Sequence, residues 1–394
     1  MWGFLATTAA VEFTRGALFI SLLPAYLTQG LSMSVAALGV VVSAQYLADT
    51  LFKIPTGWLV DRFGPWRVLA PLLVVSAVAV YFIPRVHSEF AFLALAVAFG
   101  AGSSANWPAV LSGSVQLGGM ENRASATSTV FLAWLAGGGM GPVLINFLVT
   151  RSFHTAFVVV DVIATGAPVV ALVGLAYAIR TRRALPRPAP PVGEGVTAVL
   201  VNVRRAAWLI PGMFVQMLAL GIVLPVMVPF ARQVLGLSQS QYGLMLLAGG
   251  AVTVLCLIPM GRVVDRMGSK PLLVLGFLLA ASAMGLLAVA HGEADLIWRA
   301  GLLGFSYALI LPAWNGLTVG KIDSGQRGLL LGVFMAIEGL GIAVGPLLGG
   351  TLYTWHVRAP FLVTGAILAA IAVFYAAVAN HHFHAGEGID GHAT

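Results

Sequence analysis

Apolar residues in this chain fall in long blocks rather than in alternation or in one-sided helical stripes. Twelve blocks stand out, at roughly 3–28, 35–60, 67–84, 90–116, 124–149, 154–179, 208–232, 240–261, 271–291, 296–320, 327–352 and 359–380. A helix crosses the hydrocarbon core of a bilayer with about 20 such residues. The pattern therefore predicts an all-α membrane protein with 12 transmembrane helices. A β-barrel is excluded, because no run of about ten residues alternates with period two. The first block differs from a cleaved leader: it is long, lacks a basic segment before it, and carries Glu12 and Arg15 inside its apolar run.

Composition sharpens this. Of 394 residues, 59% are hydrophobic and 9% charged, against roughly 25% charged in a soluble globular protein. That excludes a soluble enzyme, a disordered chain and a nucleic-acid binder. The net charge of +7 does not mark a basic domain, because the basic residues gather in short connections. Arg62, Arg67, Arg123, Arg180, Arg182, Arg183, Arg187, Arg204, Arg205, Arg262, Arg266, Lys270, Lys321 and Arg327 lie on one side of the bilayer. Arg85, Arg151, Arg232, Arg358 and, at a helix edge, Arg299 lie on the other. Fourteen against five places the first set in the cytoplasm of a bacterial cell, inside its inner membrane, and both termini with it. The segment 180–196 (RTRRALPRPAPPVGEGV) is proline-rich and basic and reads as a linker at the cytoplasmic face. The expected organisation is a six-helix bundle over 1–180, a cytoplasmic linker over 181–206, a second six-helix bundle over 207–380 and a cytoplasmic tail over 381–394. The tail's HHFH (381–384) and His392 read as a solvated terminus, so no metal site is expected.

The two halves repeat each other. IPTGWLVDRFG (54–64) returns as IPMGRVVDRMG (258–268), and Gly141-Pro142 returns as Gly345-Pro346, both at an offset of 204. NWPA (106–109) and PAWN (312–315) occupy matching spans. A duplicated six-helix unit predicts a pseudo-two-fold axis, a site between the halves near the midplane, and alternating access by rocking. These residues resemble the major facilitator superfamily over nearly the whole chain. Gly57, Asp61, Arg62, Gly64 and Arg67 match that family's signature loop, and Gly261, Asp265, Arg266, Gly268 and Lys270 supply a second copy. The resemblance implies that these loops latch one side shut, through Asp at a helix N-terminus and Arg bridging to a neighbouring loop; the bland alternative is that they only fix fold and topology. Gly137, Gly138, Gly139, Gly141 and Pro142, repeated by Gly345, Pro346, Gly349 and Gly350, resemble an antiporter glycine-proline motif and are candidates for conformational gating or for close packing. Drug exporters of the family carry an arginine where Ala96 stands here.

Ionisable groups inside spans are costly and so are candidates for function. They are Glu12, Arg15, Asp49, Lys53, Asp161 and Glu338. Glu12 and Arg15 are three apart and Asp49 and Lys53 four apart, so each pair shares a helix face. The functional reading is a polar pocket that binds a head group and exchanges a proton; the alternative is a set of internal ion pairs. Lys53 is close enough to a span end to reach the cytoplasmic interface, and Asp161 lies toward the outer end of its span. Five of the six groups are in the first half, so one wall of a central cavity is polar and the other apolar, as an amphiphile requires. Trp107 and Trp134 are candidates for stacking on a sugar, and Trp314 with Asn315 offers a ring beside an amide. No HExxH, GxSxG or other spaced catalytic motif occurs, so no enzymatic activity is expected.

Within the superfamily, EFTRG (12–16), LAD (47–49), NWPAVLS (106–112), AWLAG (133–137), LILPAWNG (309–316) and GVFMAIEGLGIAVGPLLGG (332–350) resemble the proton-coupled glycolipid flippases of the lipoteichoic-acid pathway. The resemblance implies transfer of a diglucosyl-diacylglycerol-type lipid between leaflets against protons, with no cofactor beyond the proton gradient and a monomeric chain among membrane lipids. It assigns proton coupling and head-group binding to Glu12, Arg15 and Asp49, and sugar contact to Trp107 and Trp134. Glu338 stands where those proteins are expected to have an amide, and Lys53 and Asp161 are additional charges. The competing expectation is a proton-coupled antiporter exporting small amphipathic drugs or metabolites.

Overall fold

A computed structural model describes residues 2–118, 123–180, 207–319 and 327–378. For 114–118, 123–128, 318–319 and 327–332 it gives the backbone course alone. The expected linker over 181–206, the tail over 381–394, the residues Arg182, Arg183, Arg187, Arg204, Arg205 and Lys321, and the side chains of Arg123 and Arg327 lie outside that description.

Among the described residues twelve helical spans occur, counting one bent pair as a single span: α1 (Trp2–Gly30), α2 (Val35–Phe63), α3 (Pro65–Arg85), α4 (Glu89–Gly113), α5 (Thr129–Val149), α6 (Phe153–Arg180), α7 (Ala207–Val223 with Met227–Val234, bent by 41°), α8 (Gln239–Met267), α9 (Ser269–Ala288), α10 (Glu293–Leu317), α11 (Val333–Trp355) and α12 (Ala359–Ala377). Among the described residues there is no strand. In the first half α1 packs on α5 and α6, α2 on α4, and α3 on α4 and α6. In the second half α7 packs on α11 and α12, α8 on α10, and α9 on α10 and α12. The halves meet chiefly through α2 against α11 and α5 against α8, two contacts that exchange under the internal repeat.

The offset of 204 governs backbone detail that the two sequence motifs did not reveal. Gly64 and Gly268 end α2 and α8 at φ +88° and +83°, and each donates its N–H at 2.8 Å to the carbonyl of Val60 or Val264. Only glycine adopts that φ without steric cost, so the α2–α3 and α8–α9 turns require it. Ser34 and Ser238 cap α2 and α8 by accepting from Ala37 and Gln241. The far ends of α1 and α7 widen into i→i+5 turns, with Leu31 N–H on the Tyr26 carbonyl and Leu235 N–H on the Phe230 carbonyl. Gly100 of α4 and Gly304 of α10 sit directly on the carbonyls of Gln45 and Gly249, where any Cβ would collide. Without side chains between them the helix backbones approach closely, which drives association in a bilayer where hydrophobicity cannot.

The face that holds the Gly64 and Gly268 turns is termed the basic face, and its opposite the far face. Named contacts between the halves run from the far face to the level of Thr50 and Gly339. Gly39 abuts the Pro346 carbonyl, a Cβ on Gly350 would stand 2.6 Å from the Val35 carbonyl oxygen, and Gly339 rests on Thr50. Ser43 Oγ accepts from Leu347 N–H at 2.8 Å, and Arg232 donates to Gln29 at 3.3 Å. Toward the basic face a Cβ on Gly57 would meet nothing within 4 Å. Arg62 lies over the Trp58 and Phe63 rings of its own helix. Among the described residues Asp61, Arg67, Asp265 and Arg266 make no salt bridge or side-chain hydrogen bond. Among the described residues the halves thus meet at the far face, and the signature loops make no salt bridge between the halves at the basic face.

Candidate functional site

Four of the six intramembrane charges form one connected chain in the first half. Arg15 of α1 donates to Glu12, three residues earlier, at 3.3 Å, and its other nitrogen reaches Asp49 of α2 at 3.0 Å. Lys53, one turn along α2, closes on Asp49 at 2.6 Å. Ser103 of α4 accepts from Arg15 at 3.1 Å. Glu12 is 6% exposed and Asp49 2%, so two acids are held out of water by two bases and a hydroxyl, the condition under which buried charge is tolerated. Lys53, given the option of reaching the interface, points into the site instead.

Helix α4 makes the third wall by breaking there. Its residues Glu89–Ser103 and Asn106–Gly118 form separate helical segments. Pro108 supplies the cause: it has no N–H for the Ser104 carbonyl, and its ring crowds that carbonyl. The contact of Gly100 with α2 then places Ser103 against Arg15 one turn later. Asn106, which begins the second segment, is 1% exposed and lies beside Glu12, yet neither amide atom reaches hydrogen-bonding geometry with a partner. Gln45, one turn before Asp49 and fully buried, has both amide atoms without partners as well. Arg15 Nε and Trp107 Nε1 are two further buried donors without partners. Such groups call for a polar guest or ordered water, since leaving each unpaired costs about 1–3 kcal/mol.

The aromatic candidates divide. Trp107 meets Phe131 edge-on at 5.2 Å, and Phe131 meets Trp134 at 6.4 Å; this places Trp107 and Trp134 at the two ends of one ladder between α4 and α5. Trp314 is placed otherwise than expected. It is 5% exposed, packs against Gly212 of α7 and Tyr375 of α12, and belongs to the core of the second half. A bulky ring there fills the space between three helices, away from the Glu12–Arg15–Asp49–Lys53 chain. Its neighbour Asn315 is exposed. Asp161, on α6, faces Arg85 at the far end of α3 rather than the Glu12 chain, so it stands apart from the site. Glu338 of α11 is half-buried and fronts Lys53 and Tyr307 from the second half.

The glycine-proline candidates also take two roles. Gly141 sits on the Phe13 carbonyl of α1, and Gly345 on Gly221 of α7, so both are packing contacts inside a half. Pro142 and Pro346 use their carbonyls. The Pro346 oxygen receives Gly39 across the halves. The Pro142 oxygen accepts from Ser21 at 3.2 Å and from Asn146 at 2.7 Å. Asn146 also donates to Ser21 at 2.9 Å and accepts from Gln239 of α8 at 2.5 Å. This buried amide bridge joins the halves at the far face. Under the repeat it corresponds to the contact of Gly350 with Val35, so one side of the pseudo-axis is closed by side chains and the other by bare backbone. Asn146→Leu leaves the Gln239 amide buried without its partner, at about 1–3 kcal/mol. A cysteine at Val35, 7% exposed in the closed far face, should then react about tenfold faster with an impermeant maleimide in a Cys256→Ser background. Equal labelling of the two proteins would show that the bridge does not hold this face shut.

Comparison with known proteins bears on the whole chain. The profile of the Major Facilitator Superfamily matches residues 5–214 and again 209–387. The chain is 27% identical over 377 residues to the proton-coupled antiporter flippase LtaA of Staphylococcus epidermidis, covering 93% of this chain and 91% of that one. It is 24% identical over 374 residues to the Staphylococcus aureus protein of the same name, with 93% and 91% covered. The fold resembles a bacterial homologue of the human lysosomal transporter Spinster in an inward-facing, unoccupied conformation, with TM-score 0.76, 16% identity, and 98% and 96% of the two chains covered. It also resembles the nucleoside transporter NupG, with TM-score 0.72, 15% identity, and 97% and 98% covered.

Proposed function

The chain belongs to the Major Facilitator Superfamily, and from that premise we propose that it is a proton-coupled flippase that moves a glycolipid between leaflets by alternating access. The observation that carries the reading is the chain Glu12–Arg15–Asp49–Lys53 with the open amides of Gln45 and Asn106 beside it. A carboxylate there gains or loses a proton only by remaking its pairs, which couples protonation to the positions of α1, α2 and α4. The open amides offer hydrogen bonds to sugar hydroxyls, and the Trp107–Trp134 ladder offers ring faces. The offset of 204 replaces Asp49 by Thr253 and Lys53 by Leu257 on α8, so the second wall is apolar and suits acyl chains along α7, α8 and α10. The name shared by the staphylococcal relatives supports the same reading.

In this reading the basic face and both termini lie in the cytoplasm of a bacterial cell, the protein works as a monomer without catalytic activity, and the open basic face makes this arrangement an inward-facing one. In an antiport cycle the proton leaves to that side as the head group enters from it. Rocking then breaks the Asn146–Gln239 bridge, brings the two signature loops together and presents the head to the outer leaflet. A new proton is taken up on the outer side once the head group has gone. A cysteine replacing Met267, exposed in the α8–α9 turn, should be labelled from the cytoplasm alone in a Cys256→Ser background; labelling from outside would invert the scheme. The functional test is transfer of a labelled diglucosyl-diacylglycerol in proteoliposomes, which should accelerate with an imposed pH gradient and stop when the gradient is collapsed by an ionophore. Efflux of amphipathic drugs without lipid transfer would replace this reading by the drug-exporter alternative.

A further inference from the structure

Glu338 is a charge that the four-membered chain does not use. Among the described residues it makes no salt bridge or side-chain hydrogen bond. Its carboxylate oxygens are absent from the buried atoms that lack partners, so they keep access to the space between the halves. Three neighbours fix its place. Gly339, the next residue, rests on Thr50 of α2; Lys53 of α2 acts on it from the opposite half; and Tyr307 of α10 stands beside it in its own half.

The internal repeat adds a second, independent argument. An offset of 204 carries Trp134 onto Glu338 and Ser103 onto Tyr307. Trp134 ends the aromatic ladder and Ser103 holds Arg15. The second half therefore presents an acid at the position where the first half presents a ring. Glu12, Arg15, Asp49 and Lys53 are two acids and two bases that cancel. Glu338 makes three acids against two bases, and each base already serves Asp49. A phosphate entering this space finds both cations engaged in salt bridges to Asp49 and one carboxylate without a salt bridge of its own, an arrangement in which like charges cost several kcal/mol away from bulk water. A sugar hydroxyl finds an acceptor.

Building on the glycolipid reading, we propose that Glu338 is the charge filter of the site: it accepts hydroxyl hydrogen bonds from an uncharged sugar head and turns away lipids whose head carries a phosphate. Arg15 and Lys53 alone would favour the opposite choice, since guanidinium and ammonium groups bind phosphate well. The filter decides between an uncharged and a phosphate-bearing lipid head.

The test is competition between two lipids with matched acyl chains, diglucosyl-diacylglycerol and phosphatidylglycerol, offered in equal amounts to the full-length protein in nanodiscs. Native mass spectrometry reads the ratio retained, and proteoliposomes with fluorescent versions read transfer. Wild type should retain the glycolipid over phosphatidylglycerol. Glu338→Gln keeps the shape and removes the charge, and should raise the phosphatidylglycerol share about tenfold, the change that 1.4 kcal/mol of relieved repulsion gives. Glu338→Lys should raise it further; if that variant folds poorly, Glu338→Gln decides. An unchanged ratio in the variants, or equal retention of both lipids by wild type, overturns the filter even where wild type transfers the glycolipid. Conversely, if wild type transfers no glycolipid but the variants still gain phosphatidylglycerol, the glycolipid reading falls and the filter stands.

Discussion

Arg15→Ala is expected to abolish gradient-driven transport and to destabilise the first half by about 3–5 kcal/mol, the cost of removing one partner from a buried ion pair. The magnitude follows from what Arg15 joins. It is the one link between Glu12 on its own helix and Asp49 on α2, and it also engages Ser103 on α4. Without it Glu12 keeps no cation within salt-bridge distance, while Asp49 retains Lys53 at 2.6 Å. The two acids should therefore respond differently to replacement. Glu12→Gln removes a charge whose one salt bridge among the described residues is to Arg15. Asp49→Asn leaves both Arg15 and Lys53 without their common anion, and should lose more stability. Both should lose proton coupling while still binding lipid, a separation that uncoupled exchange in proteoliposomes would display. Wild-type transport in all three variants would reduce the chain to a structural ion-pair network. Melting temperatures of the purified variants supply the stability scale.

The architecture was legible in the sequence because its cause is simple. Apolar blocks of sufficient length have few alternatives in a bilayer, and the recurrence of IPTGWLVDRFG as IPMGRVVDRMG fixed the relation between halves. The charged core of the site was legible for the related reason that Glu12, Arg15 and Asp49 have no solvent to face. What escaped was uncharged. Gln45, Asn106, Asn146 and Gln239 are neutral amides inside or at the ends of apolar runs, where nothing in the local pattern separates a pocket-lining amide from one facing a neighbour. Their meaning comes from partners far along the chain: 93 residues separate Asn146 from Gln239, and 125 separate it from Ser21. Pro108 was the one available hint, since a proline directly after Asn106 and Trp107 marks a break. Trp314 differs in the other direction, since its ring lies in the core of the second half. A tryptophan next to an asparagine looks like a ligand until α7 and α12 are seen to close over it.

Close glycine contacts inside a half and between halves look alike in the sequence, yet substitution should separate them sharply. Gly39 of α2 faces the Pro346 carbonyl, and a Cβ there would stand 3.2 Å from the Gly350 Cα of α11. Gly141 of α5 faces the Phe13 carbonyl, and a Cβ there would stand 3.1 Å from the Ala17 nitrogen of α1. Leucine fits at neither position. At Gly39 the strain is relieved when the halves part at the far face, a movement that the transport cycle already contains. At Gly141 it is relieved only when α1 leaves α5, and α1 carries Glu12 and Arg15. Gly39→Leu should therefore yield a folded, monodisperse protein biased toward the outward-open state, with transport reduced more than about tenfold because the return step must overcome at least about 1.4 kcal/mol. The Val35 cysteine should be reactive in that background without any substitution at Asn146. Gly141→Leu should cost about 1–3 kcal/mol or more through overpacking, seen as a lower melting temperature and poor recovery of folded protein, with no gain in far-face reactivity. Loss of the fold in Gly39→Leu, or a stable and outward-open Gly141→Leu, would mean that the boundary between rigid half and moving interface has been drawn through the wrong glycines.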